Sequence, residues 1–337
     1  MFILYIILPI ISAFKLSEVD LMYGIGDSLT ASFGSYYHVL TILDEYRYSS
    51  AWLGNGDNGS ITLPKYIREF QGRVKSTHYL EGPSESYHLV EICYGYLCPL
   101  SNLQRHSTDN LNVAQSGSMV LNLDTQFSAL IDRIGKYPDW KTKNKLGTLF
   151  IGANDVCVEC LDEKPERGSY EDHFRKLFTR FRNEMPNTVL LVYPIFKISP
   201  IVHLSEKKPG CSSMHRVTFI ECDCAFGPGN ANNLLTMDNL VDELNAAIYS
   251  TVAESNNIPS SSYIYIQPIL KDADISNFPG EALSSVDCFH ISEIAHANIA
   301  TNMWNALHGQ QNTIWNIEPV QGDDFELMPK KVSIFRK

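Results

Sequence analysis

Residues 21–30 read LMYGIGDSLT, an apolar run that passes directly into a glycine-flanked serine. Three later runs, Leu146 to Ile151, Thr188 to Tyr193 and Tyr263 to Gln267, are equally rich in β-branched and aromatic residues. Each of the four runs predicts a buried strand. Helical patterns separate the last three, and such alternation predicts an α/β fold with a parallel central sheet.

Two segments predict helices, one between the strands and one after the last strand. Five apolar residues three or four positions apart build one face of the first: Phe174, Leu177, Phe178, Phe181 and Met185. The second is a final helix with Ser292 as its N-cap, running to about Leu307 and stopped by Gly309. His290 is therefore expected in the loop just before a helix.

The composition predicts one large globular domain. Of 337 residues, 44% are hydrophobic and 19% are charged, which supplies enough apolar surface for a core. The net charge of -11 disfavours nucleic acid as a partner, because phosphate binding needs clustered Lys and Arg. It would also weaken adsorption to an anionic membrane, although a lipid could still be engaged through apolar contacts.

The first residues have the composition of a secretory leader. The nearly uncharged run from Phe2 to Phe14 is too short to span a bilayer and fits a signal peptide cut near Ala13; the alternative is a buried first strand. We therefore predict a signal peptide at 1–14, a single domain at 15–310, and a C-terminal extension at 311–337 that packs on the domain or trails from it. The expected location is extracellular.

Eight cysteines beside a secretory start predict four disulfides. Cys157 with Cys160 and Cys93 with Cys98 are the expected local pairs, and Cys222 and Cys224 are expected to pair outward. A zinc site at Cys157 and Cys160 is the alternative, but no second CxxC or paired-His motif completes it.

One glycosylation site and two long loops are predicted. Asn58 begins the one N-glycosylation sequon. The segments from Tyr46 to Pro64 and from Ser199 to Asn233 are rich in turn-forming residues, and they are predicted to form long loops or lids.

Ser28 is the candidate nucleophile. It follows the first strand, at the carboxyl edge where parallel α/β folds place their sites. The GxSxG elbow of α/β-hydrolases is absent, since Thr30 stands at the place of its second glycine. Taken alone, Gly26-Asp27-Ser28-Leu29 is equally consistent with a turn and a capping serine.

A serine hydroxyl needs a base, and that base needs a group to orient it. Asp287 precedes His290 by three residues, so that one loop would let the carboxylate hold one ring nitrogen while the other nitrogen faces Ser28. A helix-capping pair is the alternative interpretation of this spacing.

Acyl transfer also needs donors for the oxyanion that develops. Asn154 follows the second predicted strand, and its amide is a candidate donor. Gly117 is another, because no side chain blocks the approach of its backbone N–H. Either residue by itself is equally consistent with a plain turn.

Ser28, Gly117, Asn154 and the Asp287/His290 pair occur in this order along the chain, and in this respect the sequence resembles the SGNH/GDSL hydrolase superfamily. Four segments resemble its phospholipase B1-like branch more specifically: WLGNGD at 52–57 leading to TLP at 62–64, GANDVCVEC at 152–160, the loop from Cys211 to Cys224, and DCFHIS at 287–292.

The resemblance implies a flavodoxin-like three-layer α/β/α fold and hydrolysis of phospholipid and lysophospholipid esters without a metal or other cofactor. Ser28 would be the nucleophile, His290 the base and then the acid, and Asp287 the residue that orients it. The N–H groups of Ser28 and Gly117 and the Asn154 amide would form the oxyanion hole. One departure is Ala153, where the family usually has glycine; its methyl group puts the substrate range in doubt.

Two other functions share this machinery or this fold. One is a short-chain or carbohydrate acetylesterase, because the triad residues do not indicate the length of the acyl group. The other is a catalytically idle secreted lipid-binding protein. No obligate protein partner is expected, and contact with a membrane or micelle surface would be transient.

Overall fold

A parallel sheet forms the centre of the computed structural model, which describes residues 14–36, 44–57, 59–91, 106–160, 169–211, 222–227, 230–310 and 313–327. The strands in these ranges are β1 (Leu21–Gly26), β2 (Asp44–Tyr46), β3 (Tyr87–Leu89), β4 (Lys145–Phe150), β5 (Thr188–Val192) and β6 (Ser262–Ile266). The central sheet has the order β1-β4-β5-β6, all parallel. All four predicted strands are therefore confirmed.

Strand β1 is buried along its whole length and pairs with β4 from Leu21 opposite Lys145 to Gly26 opposite Phe150. The segment 111–115 lies along the other edge of β1. There the N–H groups of Val113 and Gln115 donate to the carbonyls of Gly24 and Gly26 at 2.9 and 3.2 Å. This pairing brings residues 111–117 to the same sheet edge as Ser28.

Helices cover both faces of the sheet. In the described ranges they are α1 (Ser28–Ala31), α2 (Leu63–Arg73), α3 (Leu123–Ile134), α4 (Ala153–Glu159), α5 (Tyr170–Glu184), α6 (Ile201–Glu206), α7 (Asp223–Phe226), α8 (Asn230–Asn256) and α9 (Glu293–Leu307). Helix α5 packs against both α3 and α8, these three contact β1 or β6, and α2 packs separately against α9. The predicted α/β class with a parallel central sheet is confirmed. Within these ranges, no helix has the length and apolar character needed to cross a membrane.

Both helices predicted from the sequence are present. The apolar residues of α5 are buried from Phe174 to Phe181, as their spacing predicted. Helix α9 begins at Glu293 because the Ser292 hydroxyl accepts a hydrogen bond from the Ala295 N–H, and it ends at Leu307.

The described part of the segment from Tyr46 to Pro64 is mostly loop, as predicted, but it does not form a lid. Trp52 is fully buried within it and stacks on Phe150 with ring centroids 5.0 Å apart, so burial of the indole holds this segment in the core. Strand β2 also pairs with β3. In the other predicted loop, the described residues form α6, α7 and the start of α8.

Three disulfides join the described cysteines: Cys157–Cys222, Cys160–Cys224 and Cys211–Cys288. The predicted pair of Cys157 with Cys160 is wrong, and so is the zinc alternative. Cys157 lies on helix α4 and Cys160 directly follows the end of that helix, so both sulfurs face α7 and bond Cys222 and Cys224. The predicted Cys93–Cys98 pair, Asn58 and the run up to Ala13 lie outside the described residues.

Residues 313–327 pack along α9. The Trp304 indole N–H donates to the Val320 carbonyl at 2.8 Å, and the Asn302 side chain bonds both the N–H and the carbonyl of Ile314 at 2.9 Å. The Leu327 N–H donates to the Phe14 carbonyl at 2.9 Å. The end of the described chain is thus joined to its beginning.

Replacement of Cys211 and Cys288 together by serine is expected to lower the free energy of unfolding by about 2–4 kcal/mol. The bond closes a loop of 77 residues, and its loss gives the unfolded chain more conformations. Urea denaturation followed by circular dichroism measures the change. A midpoint equal to that of the wild type would contradict this account of the cross-link.

Candidate active site

Ser28 is the first residue of α1, and Asp27 caps that helix. The Asp27 Oδ1 atom accepts the Leu29 N–H at 3.0 Å, while burial raises the pKa of this carboxyl to about 7. Gly26 permits the turn, because a Cβ atom there would lie 2.4 Å from the Phe150 carbonyl oxygen. The close approach of β1 and β4 thus sets where Ser28 emerges.

The loop before α9 carries Asp287 and His290. The Asp287 Oδ1 atom accepts the N–H groups of Phe289 and His290 at 2.9 and 3.0 Å. Cys288 between them has a φ of 60°, and its disulfide to Cys211 holds the loop from the other side. The carboxylate therefore shapes the loop and still has its second oxygen for the imidazole.

A chain of two hydrogen bonds joins the three residues. The His290 Nδ1–H donates to Asp287 Oδ2 at 2.5 Å, and the Ser28 hydroxyl donates to His290 Nε2 at 2.7 Å. A carboxylate can only accept, so the proton belongs on Nδ1 and leaves Nε2 as an acceptor. All three residues are at least nine-tenths buried. The structure therefore brings together the serine, histidine and aspartate that were named from the sequence.

The carboxyl of Asp287 is held in its charged form. Burial raises its pKa, but the charge of His290 and hydrogen bonds from His290 and Phe289 outweigh that effect, and the pKa lies below its ordinary value of 3.8. The rings of Phe33 and Phe289 stand edge-on to His290 with centroids 4.6 and 5.2 Å away. These contacts restrict the imidazole to the orientation that faces Ser28.

A second buried histidine, His296, does not share this arrangement. Its Nδ1 atom accepts the Ala51 N–H at 3.2 Å, and its Nε2 atom lies 3.2 Å from the Ser32 hydroxyl. Burial lowers its pKa to about 3, so the ring is neutral. His296 therefore connects α9 to the segment after α1 and does not reach Ser28.

The two predicted oxyanion residues lie at the same sheet edge. Asn154 lines a cleft together with Ser28, and one hydrogen of its amide is donated to the Ser118 carbonyl at 2.9 Å. Gly117 is held nearby through the pairing of Gln115 with Gly26, and its φ of 80° is one that glycine adopts readily. Ala153, the departure from the family pattern, also lines the cleft.

The cleft beside Ser28 is almost wholly apolar. All but five of its lining residues are Ala, Leu, Ile, Phe or Trp, and the exceptions are Ser28, Asn154, Asn298, Asn302 and Thr313. Helix α9 contributes residues from Ala295 to Asn302, a length of about 10 Å at the helical rise. The sequence alone did not predict this cleft, because its walls come from α6, the segment after β6, α9 and residues 313–315.

Phe278 and Trp315 form one wall of the cleft. Their rings pack with centroids 5.2 Å apart, and both also line an open groove on the outer side, next to Lys207 and Asn316. The pair therefore separates the apolar interior from solvent. In the described part of the chain, no group of three His, Cys, Asp or Glu side chains is placed to hold a metal ion.

Known proteins resemble the chain over most of its length. Membrane-associated phospholipase B1 of Homo sapiens is 25% identical over 311 residues, and that of Rattus norvegicus is 25% identical over 313 residues. Each alignment covers 86% of this chain but only 20% and 19% of those proteins, so the chain spans about a fifth of the length of the curated relatives it matches.

Two solved structures are similar at lower identity. A GDSL-like lipase from Parabacteroides merdae has a TM-score of 0.44 and 17% identity, covering 86% of this chain and 94% of its own. Phospholipase A1 from Streptomyces albidoflavus has a TM-score of 0.39 and 11% identity, covering 83% and 95%.

The family of the chain is shown by a family model that matches most of its length. The model of the GDSL-like lipase/acylhydrolase family covers residues 22–303, from β1 through most of α9. The matched range includes Ser28, Gly117, Asn154, Asp287 and His290. The chain therefore belongs to the GDSL-like lipase/acylhydrolase family.

Proposed function

We propose that this protein is a secreted serine esterase that hydrolyses the acyl ester bonds of phospholipids and lysophospholipids. The observation that carries the proposal is the pair of hydrogen bonds on His290, one from Ser28 and one to Asp287. A hydroxyl bonded to an acceptor nitrogen, with the opposite ring nitrogen held by a carboxylate, is the arrangement that activates serine for acyl transfer.

In the proposed reaction the Ser28 Oγ atom attacks the ester carbonyl carbon while its proton passes to His290 Nε2. The bond to the leaving alcohol then breaks, and His290 returns the proton to that alcohol. Water attacks the resulting acyl-enzyme, again giving a proton to His290, and the fatty acid leaves as the Ser28 hydroxyl is restored. Ionised Asp287 stabilises the imidazolium that forms twice in this cycle.

The N–H groups of Ser28 and Gly117 and the Asn154 side chain would stabilise the oxyanion. The N–H groups of a first helical turn have no partner within the helix, which leaves that of Ser28 for a ligand. The Asn154 amide carries two hydrogens, one of which reaches Ser118. In a buried site such donors stabilise developing charge far more than they would in water.

The apolar cleft supports a long acyl chain over an acetyl group. Its walls continue for about 10 Å along α9 beyond the loop that holds His290, and their apolar side chains offer an acyl chain burial from water. An acetyl group would leave most of this surface unused. The names of the phospholipase B1 relatives agree with a phospholipid, the substrate in which such a chain occurs.

Export is supported by the disulfides. Three cross-links join the described cysteines, and disulfides persist in oxidising compartments and are rare in the cytosol. The predicted leader at 1–14 agrees with this location.

Wild-type protein is expected to release fatty acid from phosphatidylcholine and lysophosphatidylcholine, and Ser28→Ala is expected to lower the rate at least about 10⁴-fold by removing the nucleophile. Ser255→Ala, which removes another buried hydroxyl near the C-terminal end of α8 and outside the cleft, is the control and should keep the wild-type rate. Wild-type activity on a short p-nitrophenyl ester alone would favour the acetylesterase. A folded wild type that a fluorophosphonate does not label would favour the lipid-binding protein.

Asp287→Asn is expected to lower kcat about 10³- to 10⁴-fold with little change in KM, because the neutral amide neither fixes the Nδ1–H tautomer nor stabilises the imidazolium. Steady-state hydrolysis of a p-nitrophenyl ester measures both constants. A kcat within a few-fold of the wild-type value would show that Asp287 only caps the loop.

Trp315→Ala is expected to lower kcat/KM for a long-chain p-nitrophenyl ester on the order of 10-fold, because the acyl chain loses an apolar wall, and to leave the acetate ester within twofold. Trp140→Ala, at the opposite end of β4 and outside the cleft, is the matched control. An equal effect on both esters would mean that Trp315 does not contact the acyl chain.

A further inference from the structure

A buried ionic cluster lies behind the segment that carries Gly117. It consists of Glu45, Arg47 and Asp109, all of them inaccessible to solvent, with His88 at its rim. The Arg47 guanidinium donates to Glu45 Oε2 at 2.6 and 2.9 Å, and its Nε atom lies 3.5 Å from Asp109 Oδ1. The proposed reaction makes no use of any of these charges.

The cluster binds the segment from Asn112 to Ser116 through two backbone carbonyls and one side-chain hydroxyl. Arg47 donates to the carbonyls of Asn112 and Ala114 at 3.3 and 3.0 Å. The second oxygen of Glu45 accepts the Ser116 hydroxyl at 2.6 Å. One ion pair thus holds three residues of the segment that ends at Gly117.

Glu45 is itself held rigidly. It lies in β2 opposite His88 of β3, and β2 also bonds the residues that follow the nucleophile helix, where the Tyr46 N–H donates to the Ser32 carbonyl at 3.2 Å. The Asn112 side chain completes the link by donating to the Thr30 carbonyl at 3.1 Å. The cluster therefore joins the segment of Ser28 to that of Gly117.

The Gly117 N–H needs such anchoring to keep a fixed direction. Gly117 has a φ of 80°, but glycine also populates other conformations, so its N–H would not keep one direction unaided. An oxyanion donor must point correctly before the substrate arrives, because reorganisation during the reaction costs rate. Burial of a charge costs desolvation free energy, and separating the buried partners would leave each charge uncompensated. The ion pair therefore resists rearrangement.

The charged state of the cluster agrees with this role. Burial raises the pKa of Asp109, but the hydrogen bond from His88 and the charge of Arg47 lower it to about 2. Burial lowers the pKa of Arg47, but Glu45 and Asp109 outweigh this and raise it overall. Both groups therefore stay ionised at neutral pH.

We propose that Glu45 and Arg47 are positioning residues for hydrolysis, which act through Ser116 and the carbonyls of Asn112 and Ala114 to aim the Gly117 N–H at the oxyanion. The proposal rests on the proposed function. It assigns the ion pair a role in kcat, because the oxyanion exists in the transition state and not in the bound ester.

Ser116→Ala removes the contact with Glu45 and leaves the ion pair in place. We expect kcat for a short p-nitrophenyl ester to fall about 10-fold, less than the 10²- to 10³-fold typical of losing an oxyanion donor outright, with KM within twofold. Ser116→Thr keeps the hydroxyl and should restore most of the loss. Ser255→Ala, another buried serine, is the control and should behave like the wild type.

A double-mutant cycle tests whether Glu45 acts through Ser116. Glu45→Gln should lower kcat at least as much as Ser116→Ala, and the two losses should not multiply in the double variant. Near-ultraviolet circular dichroism establishes that each variant is folded. If Glu45→Gln does not fold, the positioning role is tested by the kcat and KM of Ser116→Ala and by the recovery of kcat in Ser116→Thr.

The outcomes separate the two proposals. A folded Ser116→Ala variant with kcat within twofold of the wild type, or with a raised KM alone, would overturn the positioning role and leave the esterase intact. An inactive wild type whose Ser28 is not labelled by a fluorophosphonate would overturn both.

Discussion

The parallel pairing of β1 with β4 is the constraint on which the rest of the structure depends. The two strands are buried throughout and meet in register up to Gly26 and Phe150, where a Cβ atom on Gly26 would overlap the backbone. Because the backbone leaves both strands at the same edge of the sheet, Ser28 and Asn154 line one cleft although more than a hundred residues separate them. The hydrogen-bonded ladder thus determines the geometry of the site before any polar side chain is placed.

His290 reaches this edge from a loop that is itself highly constrained. Asp287 folds the loop by accepting two backbone N–H groups, the Cys211–Cys288 disulfide ties it to the residues after α6, and α9 begins immediately beyond it. The same carboxylate then holds the imidazole, so one side chain both builds the loop and orients its ring. Because Asp287 folds the loop, a spacing of three residues is enough for its carboxylate to accept a hydrogen bond from the His290 ring.

Polar and apolar surfaces are sharply separated around Ser28. On one side the cleft is lined by aliphatic and aromatic residues, which would bury an apolar group from water. On the other side, the ion pair of Glu45 and Arg47 lies beneath residues 112–117. The chain carries a net charge of -11, yet these buried charges are paired, so their effect is local order and not a long-range field.

The sequence by itself determined the fold class, the four central strands, the start and end of α9, and the residues that meet at the sheet edge. These features are local: apolar periodicity, a capping serine and a glycine turn act within a few residues, so their pattern can be recognised along the chain. Residue spacing allowed a hydrogen bond between Asp287 and His290 but left a helix-capping pair as the alternative, and the family resemblance favoured the triad. The contact of His290 with Ser28, 262 residues away, was expected from the resemblance to SGNH/GDSL hydrolases, whereas the rule that parallel strands end at one edge located only Ser28 and Asn154.

Only the tertiary structure decided the disulfide partners, the cleft and the ionic cluster. Cys157 and Cys160 suggested a local bond, but both sulfurs meet α7 at the C-terminal end of α4, and no local pattern encodes which helix packs there. Trp52 lies in a segment of loop-like composition, yet burial against Phe150 makes that segment core. Glu45, Arg47 and Ser116 meet only after β2 packs beside the segment from Asn112, and such a contact depends on how the whole chain is arranged in space.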